Sequence, residues 1–203
     1  MGFINSDVGG SILTPVPANL VAFPIQNNAP VLTSIDGKGM HITGAVGTKL
    51  RYAVRTIIPA NFEITAQINA MTGQLFNTAG IVVRNSVDGD SYIFGANDVG
   101  NSIAPTYWSS DSIAASSPVG NYSWAGQLWI KIIYTLATNS INFLYSTDGY
   151  EFHSRIIVTP SLVNNPDQIG IGIGARNATF NCGQLITSYD DGLVNWNCLD
   201  NYS

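Results

Sequence analysis

The chain is expected to fold as an all-β, two-sheet antiparallel sandwich, and three features of the sequence lead there. Its 203 residues are 45% apolar but only 10% charged, with two Glu and three Lys against 20 Asn and 20 Gly. Long surface helices are built from Glu, Lys and Arg, so this composition cannot supply them. Apolar residues recur at period two in one segment after another, the signature of half-buried strands. Turn-forming dipeptides then separate those segments at short spacing. A chain of this length makes one domain, and it buries enough surface to fold without a metal or a disulfide framework.

In chain order, residues 1–18 are broken by Gly9, Gly10, Pro15 and Pro17 and carry no period, so they read as an N-terminal arm. The sandwich is expected over residues 19–189 and a C-terminal tail over 190–203. Asp36-Gly37 is the first strong turn dipeptide. Leu50, Tyr52 and Val54 alternate with Lys49, Arg51, Ala53 and Arg55. Over 61–69, Phe62, Ile64, Ala66 and Ile68 point one way and Glu63, Thr65, Gln67 and Asn69 the other. Strands are also expected at 79–86 and 90–96 around Asp88-Gly89, and at 150–158 after Asp148-Gly149. Leu128, Ile130, Ile132, Tyr134 and Leu136 share a face; past Thr138-Asn139 a return strand places Ile141, Phe143 and Tyr145 together. The stretch 112–117 is too short and polar for a helix. The last strands are 168–175 and 179–188.

The segment 169–175, Ile-Gly-Ile-Gly-Ile-Gly-Ala, invites a nucleotide-loop reading. Such a loop opens a helix N-terminus, and no helix follows here. It reads instead as a strand with its Ile side in the core and a bare Gly side that another layer or a ligand can approach closely. Phe62, Ile64, Ile68, Ile130, Ile132, Phe143, Ile169 and Ile171 are the expected inter-sheet core.

The net charge of −5 argues against a phosphate-tracking nucleic-acid binder. No apolar run is long enough for a membrane helix, and the first residues have neither a basic nor an apolar signal region. If Met1 is the natural start, the protein is made in a cytosol and stays there or leaves by a route other than secretion. Cys182 and Cys198 are either one disulfide pinning the tail or two thiols.

Two groups of segments resemble a known superfamily. Phe62-Glu-Ile-Thr-Ala-Gln-Ile68, Ala79-Gly-Ile-Val-Val-Arg84 and Tyr92-Ile-Phe-Gly95 resemble central strands of concanavalin A-like, laminin-G-like jelly rolls. Trp129-Ile-Lys-Ile132 with Ile141-Asn-Phe-Leu-Tyr-Ser-Thr-Asp-Gly149 is similar to a hairpin of those domains, and 168–175 to a late core strand. The resemblance covers roughly residues 50–190 and implies a concanavalin A-like jelly roll. It does not imply one activity, because the superfamily includes glucanases, lectins, adhesion modules and virion proteins.

Glycosidases on this fold set two or three carboxylates on one strand, a donor and a base or nucleophile roughly 5–9.5 Å apart. Here Glu63 stands alone on its strand and Glu151 lies beside a turn. His41 and His153 have no nucleophile context, so no catalytic residue is expected. The legume-lectin metal ligand set has no counterpart either. Asp88, Asp90 and Asp98 lie in one acidic region, either a calcium-accepting loop or a pair of turns linking strands. Tyr107, Trp108 and Asp111 are either a glycan platform, with rings for stacking and a carboxylate for hydroxyls, or a loop capping one end of the sandwich.

These observations imply a non-enzymatic virion structural protein, a phage head-decorating or tail-associated component whose lectin-like sandwich takes surface glycan. The alternative is a carbohydrate-binding module of a secreted glycan-handling system, hence an extracellular protein. No cofactor is implied beyond calcium. The expected partners are other virion proteins, copies of the same chain and cell-surface glycan, with neither nucleic acid nor membrane insertion. Phe3, Ile4, Ile12 and Leu13 of the arm, with Trp196 of the tail, are the expected assembly anchors. An apolar segment without a period must bury itself irregularly, on its own sandwich or on a neighbour.

Overall fold

The computed structural model describes residues 25–27, 31–34, 40–43, 50–57, 61–73, 78–97, 102–110, 113–116, 128–174, 178–190 and 195–197. These form fifteen strands: β1 Ile25–Asn27, β2 Val31–Ser34, β3 Met40–Thr43, β4 Arg51–Thr56, β5 Asn61–Gly73, β6 Thr78–Arg84, β7 Ser91–Asn97, β8 Ser102–Ser110, β9 Ile113–Ser116, β10 Leu128–Thr135, β11 Ser140–Ser146, β12 His153–Val158, β13 Gln168–Gly174, β14 Ala178–Asp190 and β15 Asn195–Asn197. A 3-10 turn, Leu136–Thr138, sits between β10 and β11. The first sheet runs β1-β4-β13-β6-β7-β8-β9; the second runs β12-β11-β10-β5-β14-β3-β2, with β15 on β14. Every pairing is antiparallel. The chain is a two-sheet antiparallel jelly roll of the concanavalin A-like kind.

The inter-sheet core follows the period-two pattern. Phe62, Ile64 and Ala66 of β5, Ile130 and Ile132 of β10, and Ile141 and Phe143 of β11 meet Ile81, Phe94, Ile169 and Ile171 from the first sheet. Phe143 lies against Phe94 and Tyr92, with ring centroids 5.1 and 5.3 Å apart. Of the eight expected core residues, seven are buried; the side chain of Ile68 lies outside the described residues. Leu136 departs from its expected face. The 3-10 turn ends the strand at Thr135 and leaves Leu136 exposed.

The first sheet is apolar on both faces. Leu50, Tyr52 and Val54 join Val82, Ile93 and Trp108 in a second cluster on the face away from the inter-sheet core, which Ala53 faces instead. Alternation reports that two faces differ but not which one meets the other sheet. The glycines of β13 stand on this second face, paired through Gly172 with Tyr52 and Gly80. A methyl group at Gly172 would fall 2.6 Å from Val82 Cγ2, and one at Gly174 would fall 2.6 Å from Trp108 Cζ2 and 3.2 Å from Ile93 Cδ1. Ladder register places Trp108 in line with Ser91, Arg84 and Gln168, six residues along β13 from Gly174. Straight strands would separate them by roughly 20 Å. The sheet therefore bends toward this face, and the bare side of β13 is filled by the sheet's own large side chains.

The N-terminal arm, and with it Phe3, Ile4, Ile12 and Leu13, lies outside the described residues, as do Asp98, Asp111 and Cys198. In the expected tail, the backbone of Trp196 pairs with Tyr189. Among the described residues no helix is long and apolar enough to cross a membrane.

Two substitutions test this architecture by chemical denaturation. Ile64→Ala, at a fully buried site, should lower stability by about 2–5 kcal/mol. Gly172→Ala should cost about 1–3 kcal/mol through overpacking, although Ala is ordinarily the better residue in a strand.

Candidate functional site

One end of the sandwich gathers three connections into a hydrogen-bonded unit: the β6–β7 turn, the β10–β11 turn and the segment between β12 and β13. Asn85 organises the first. Its Oδ1 accepts from the amides of Val87 (2.7 Å) and Asp88 (3.1 Å), and its Nδ2 donates to the carbonyl of Asn164 at 2.6 Å. Gly89 at φ +80° closes the turn, as Asp-Gly requires. Both carboxylate oxygens of Asp167 accept from Ser86, one from its amide at 2.8 Å and one from its hydroxyl. Asn139, itself left-handed at φ 45°, donates from Nδ2 to Asn164 Oδ1 at 2.6 Å, and its carbonyl accepts from the Ser161 amide at 2.6 Å. Val163 anchors the segment from below as a fully buried core residue.

Three tyrosines support this end. Burial raises the Tyr92 and Tyr134 hydroxyls above their ordinary range, partly offset by hydrogen bonds to the backbone of Leu162 and Asn165. Tyr107 is half-buried, with its ring 5.5 Å from Tyr92, and donates to Asp90 Oδ1 at 2.9 Å. Desolvation, and then the neighbouring Asp90 carboxylate that accepts its proton, push Tyr107 up to about 12. Asp88 is exposed on the same turn and adds a smaller electrostatic contribution in the same direction.

The structure thus regroups the expected site residues. Tyr107 and Trp108 do not form one aromatic platform, and the segment carrying them is strand β8 rather than a capping loop. Consecutive strand residues face opposite ways. Tyr107 borders the inter-sheet core, while Trp108 is only 1% exposed on the other face, its Nε1 unpartnered among the described residues. Tyr107 is joined instead to Asp90, from the expected calcium set. One Asp90 oxygen accepts from Tyr107, and Asp98, the third residue of the expected calcium set, lies outside the described residues. No group of three His, Cys, Asp or Glu suited to a metal forms among the described residues. No local sequence pattern singles out the amides of Asn85, Asn139 and Asn164. Only their place beside turns hinted at a role.

Away from this end, Glu63 is ion-paired with Lys131 on the outer face of the second sheet, and Lys131 also lies 4.3 Å from the centroid of the Phe152 ring. Glu151 and His153 are exposed. Asp148 is a turn former. Its Oδ1 accepts from the amides of Tyr150 (2.8 Å) and Glu151 (3.0 Å) and from the Ser146 hydroxyl (2.7 Å), which holds the carboxyl below its ordinary range. Gly149 at φ +82° closes the turn against the Trp129 indole.

No family model matches the chain, and no curated protein matches it by sequence. Solved structures do match. A functionally unknown protein from Saccharomyces cerevisiae is 13% identical at a TM-score of 0.64, over 84% of this chain and 97% of that one. A legume lectin-like domain from Entamoeba histolytica is 10% identical at 0.56, over 85% and 92%. The GH43 protein BlXynB (K247S mutant) from Bacillus licheniformis is 13% identical at 0.51, over 77% of this chain but 34% of that one. At these identities the likeness defines the fold: a lectin-type, concanavalin A-like β-sandwich.

Two titrations check the electrostatics. Tyr107→Phe should remove one phenol titrating near pH 12 from the ultraviolet titration curve. Because the Asp148 carboxyl is depressed when folded, its contribution is complete above the ordinary value of 3.8 and is lost as pH falls through the lower folded value. Asp148→Asn should therefore flatten the loss of stability on acidification below about pH 4, read from denaturation midpoints across pH.

Proposed function

We propose that the chain is a non-catalytic, glycan-binding β-sandwich serving as a virion structural protein, in a head-decorating or tail-associated position. The observation that carries the glycan half is the loop end of a lectin-type sandwich presenting Asp88 and Asp90 on a hydrogen-bonded turn, with Tyr107 held beneath them. Carboxylates accept hydrogen bonds from sugar hydroxyls, and a turn already ordered by Asn85 and Asp167 loses little entropy on binding. The bonding of the acidic side chains supports a non-catalytic reading. Glu63 is paired with Lys131, Asp148 shapes a turn, Asp167 ties two loops and Asp90 holds a tyrosine. The virion half is supported by the apolar arm and by a low-charge surface rich in amides and hydroxyls. A carbohydrate-binding module of a secreted system shares the glycan half and differs in its location.

A glycan array followed by calorimetry tests binding. Asp88→Asn and Asp90→Asn should each weaken the best ligand by roughly tenfold or more, the usual worth of a hydrogen bond to a charged group. Ligands bound equally well by both variants would move the site elsewhere. Mass spectrometry of purified particles tests the location, with many copies per particle expected. Glu63→Gln and Glu151→Gln should leave the role intact; glycan hydrolysis lost in either would make the chain an enzyme.

A further inference from the structure

Three of the five exposed large apolar side chains among the described residues sit on the three tied turns: Val87 (87% exposed), Leu162 (51%) and Leu136 (40%). A solvated loop tip ordinarily carries Gly, Asn, Asp or Ser. Here each apolar tip is held by hydrogen bonds below it. Asn85 accepts from the Val87 amide, the Leu136 amide donates to Asn61 Oδ1 at 2.9 Å, and the Leu162 backbone bonds to Tyr92. Asn164 then joins the Asn85 turn to the Asn139 turn. Rigid apolar knobs on a shared base are the geometry of an interface, because docking onto them costs little ordering entropy.

The register of β1 indicates what reaches them. Ile25 pairs with Val54 and Asn27 with Tyr52, while the amide of Ile57, three residues beyond Val54, donates to Asp167 of the tied unit at 2.7 Å. β1 therefore begins at this same end of the first sheet. The residues preceding β1 include the arm, whose Phe3, Ile4, Val8, Ile12, Leu13 and Val16 need an apolar surface that Gly9, Gly10, Pro15 and Pro17 prevent them from making for themselves. An extended arm of this length spans roughly 60 Å, ample to cross to an adjacent subunit. The single chain leaves Val87, Leu136 and Leu162 open. We infer that the three tied turns are the seat for the N-terminal arm, residues 1–18, of a neighbouring copy of the chain. This rests on the assembly half of the function proposed above.

The test replaces Val87 with the photo-crosslinking residue p-benzoylphenylalanine in the full chain and irradiates an equal mixture of 14N- and 15N-labelled protein. Crosslinked peptides joining position 87 of one isotope to residues 2–18 of the other are expected. Crosslinks confined to one isotope, crosslinks to other segments, or none would overturn the inference. Because all three side chains are exposed, Val87→Asp with Leu162→Asp should fold as the parent does, yet raise the half-assembly concentration roughly tenfold or more in sedimentation. Deletion of residues 2–17 separates the two levels. If the deletion abolishes assembly while the double variant assembles normally, the arm acts elsewhere and the seat is wrong. If the deletion assembles normally, the assembly reading itself fails.

Discussion

Close backbone approach along the glycines of the first sheet is the constraint on which the rest of the structure depends. At Gly80, Gly95 and Gly170 an added Cβ would fall 2.0–2.1 Å from a carbonyl oxygen of the adjoining strand. At Gly172 and Gly174 it would meet Val82 and Trp108. Removing side chains from this column lets the sheet bend, and the bend brings Tyr52, Val82, Ile93 and Trp108 together on the face away from the core. The other face then presents Ile81, Phe94, Ile169, Ile171 and Ile173 to the second sheet.

This arrangement bears on the proposed function. A jelly roll whose sheet face is open can hold a ligand along its strands, whereas here the outer face of the first sheet is packed with buried side chains. Under the proposed function, recognition falls to the connections between strands. At the end bearing the β6–β7 and β10–β11 turns, the amides of Asn85, Asn139 and Asn164 tie the connections together.

Both proposals use that one end for different surfaces: the carboxylates of Asp88 and Asp90 for glycan, and the apolar tips for a neighbour's arm. A subunit tied to its neighbour through rigid turns gains binding strength by repetition, because linked weak sites act at a high effective concentration. The fold leaves its loop ends free to diverge, which is why one sandwich can host unrelated functions.

The sequence by itself determined the fold class and most of the core. Period two in β5, β10, β11 and β13 is a local property, imposed by a pleat that sends alternate residues to opposite sides. It specified Phe62, Ile64, Ile130, Ile132, Phe143, Ile169 and Ile171 as a set, and the Asp-Gly turns at 88–89 and 148–149 are as local. Tertiary structure alone decided which face each set meets. Leu50, Tyr52 and Val54 show a period as clear as that of Phe62 and Ile64, yet they pack outside the inter-sheet core. Period two also separates Tyr107 from Trp108 once 102–110 is known to be a strand, but Ser, Thr and Pro in that segment mask its strand character. The site depended still more on folding. Asp90 meets Tyr107 across 17 residues and Asn85 meets Asn164 across 79, and no local pattern encodes a partner that far along the chain.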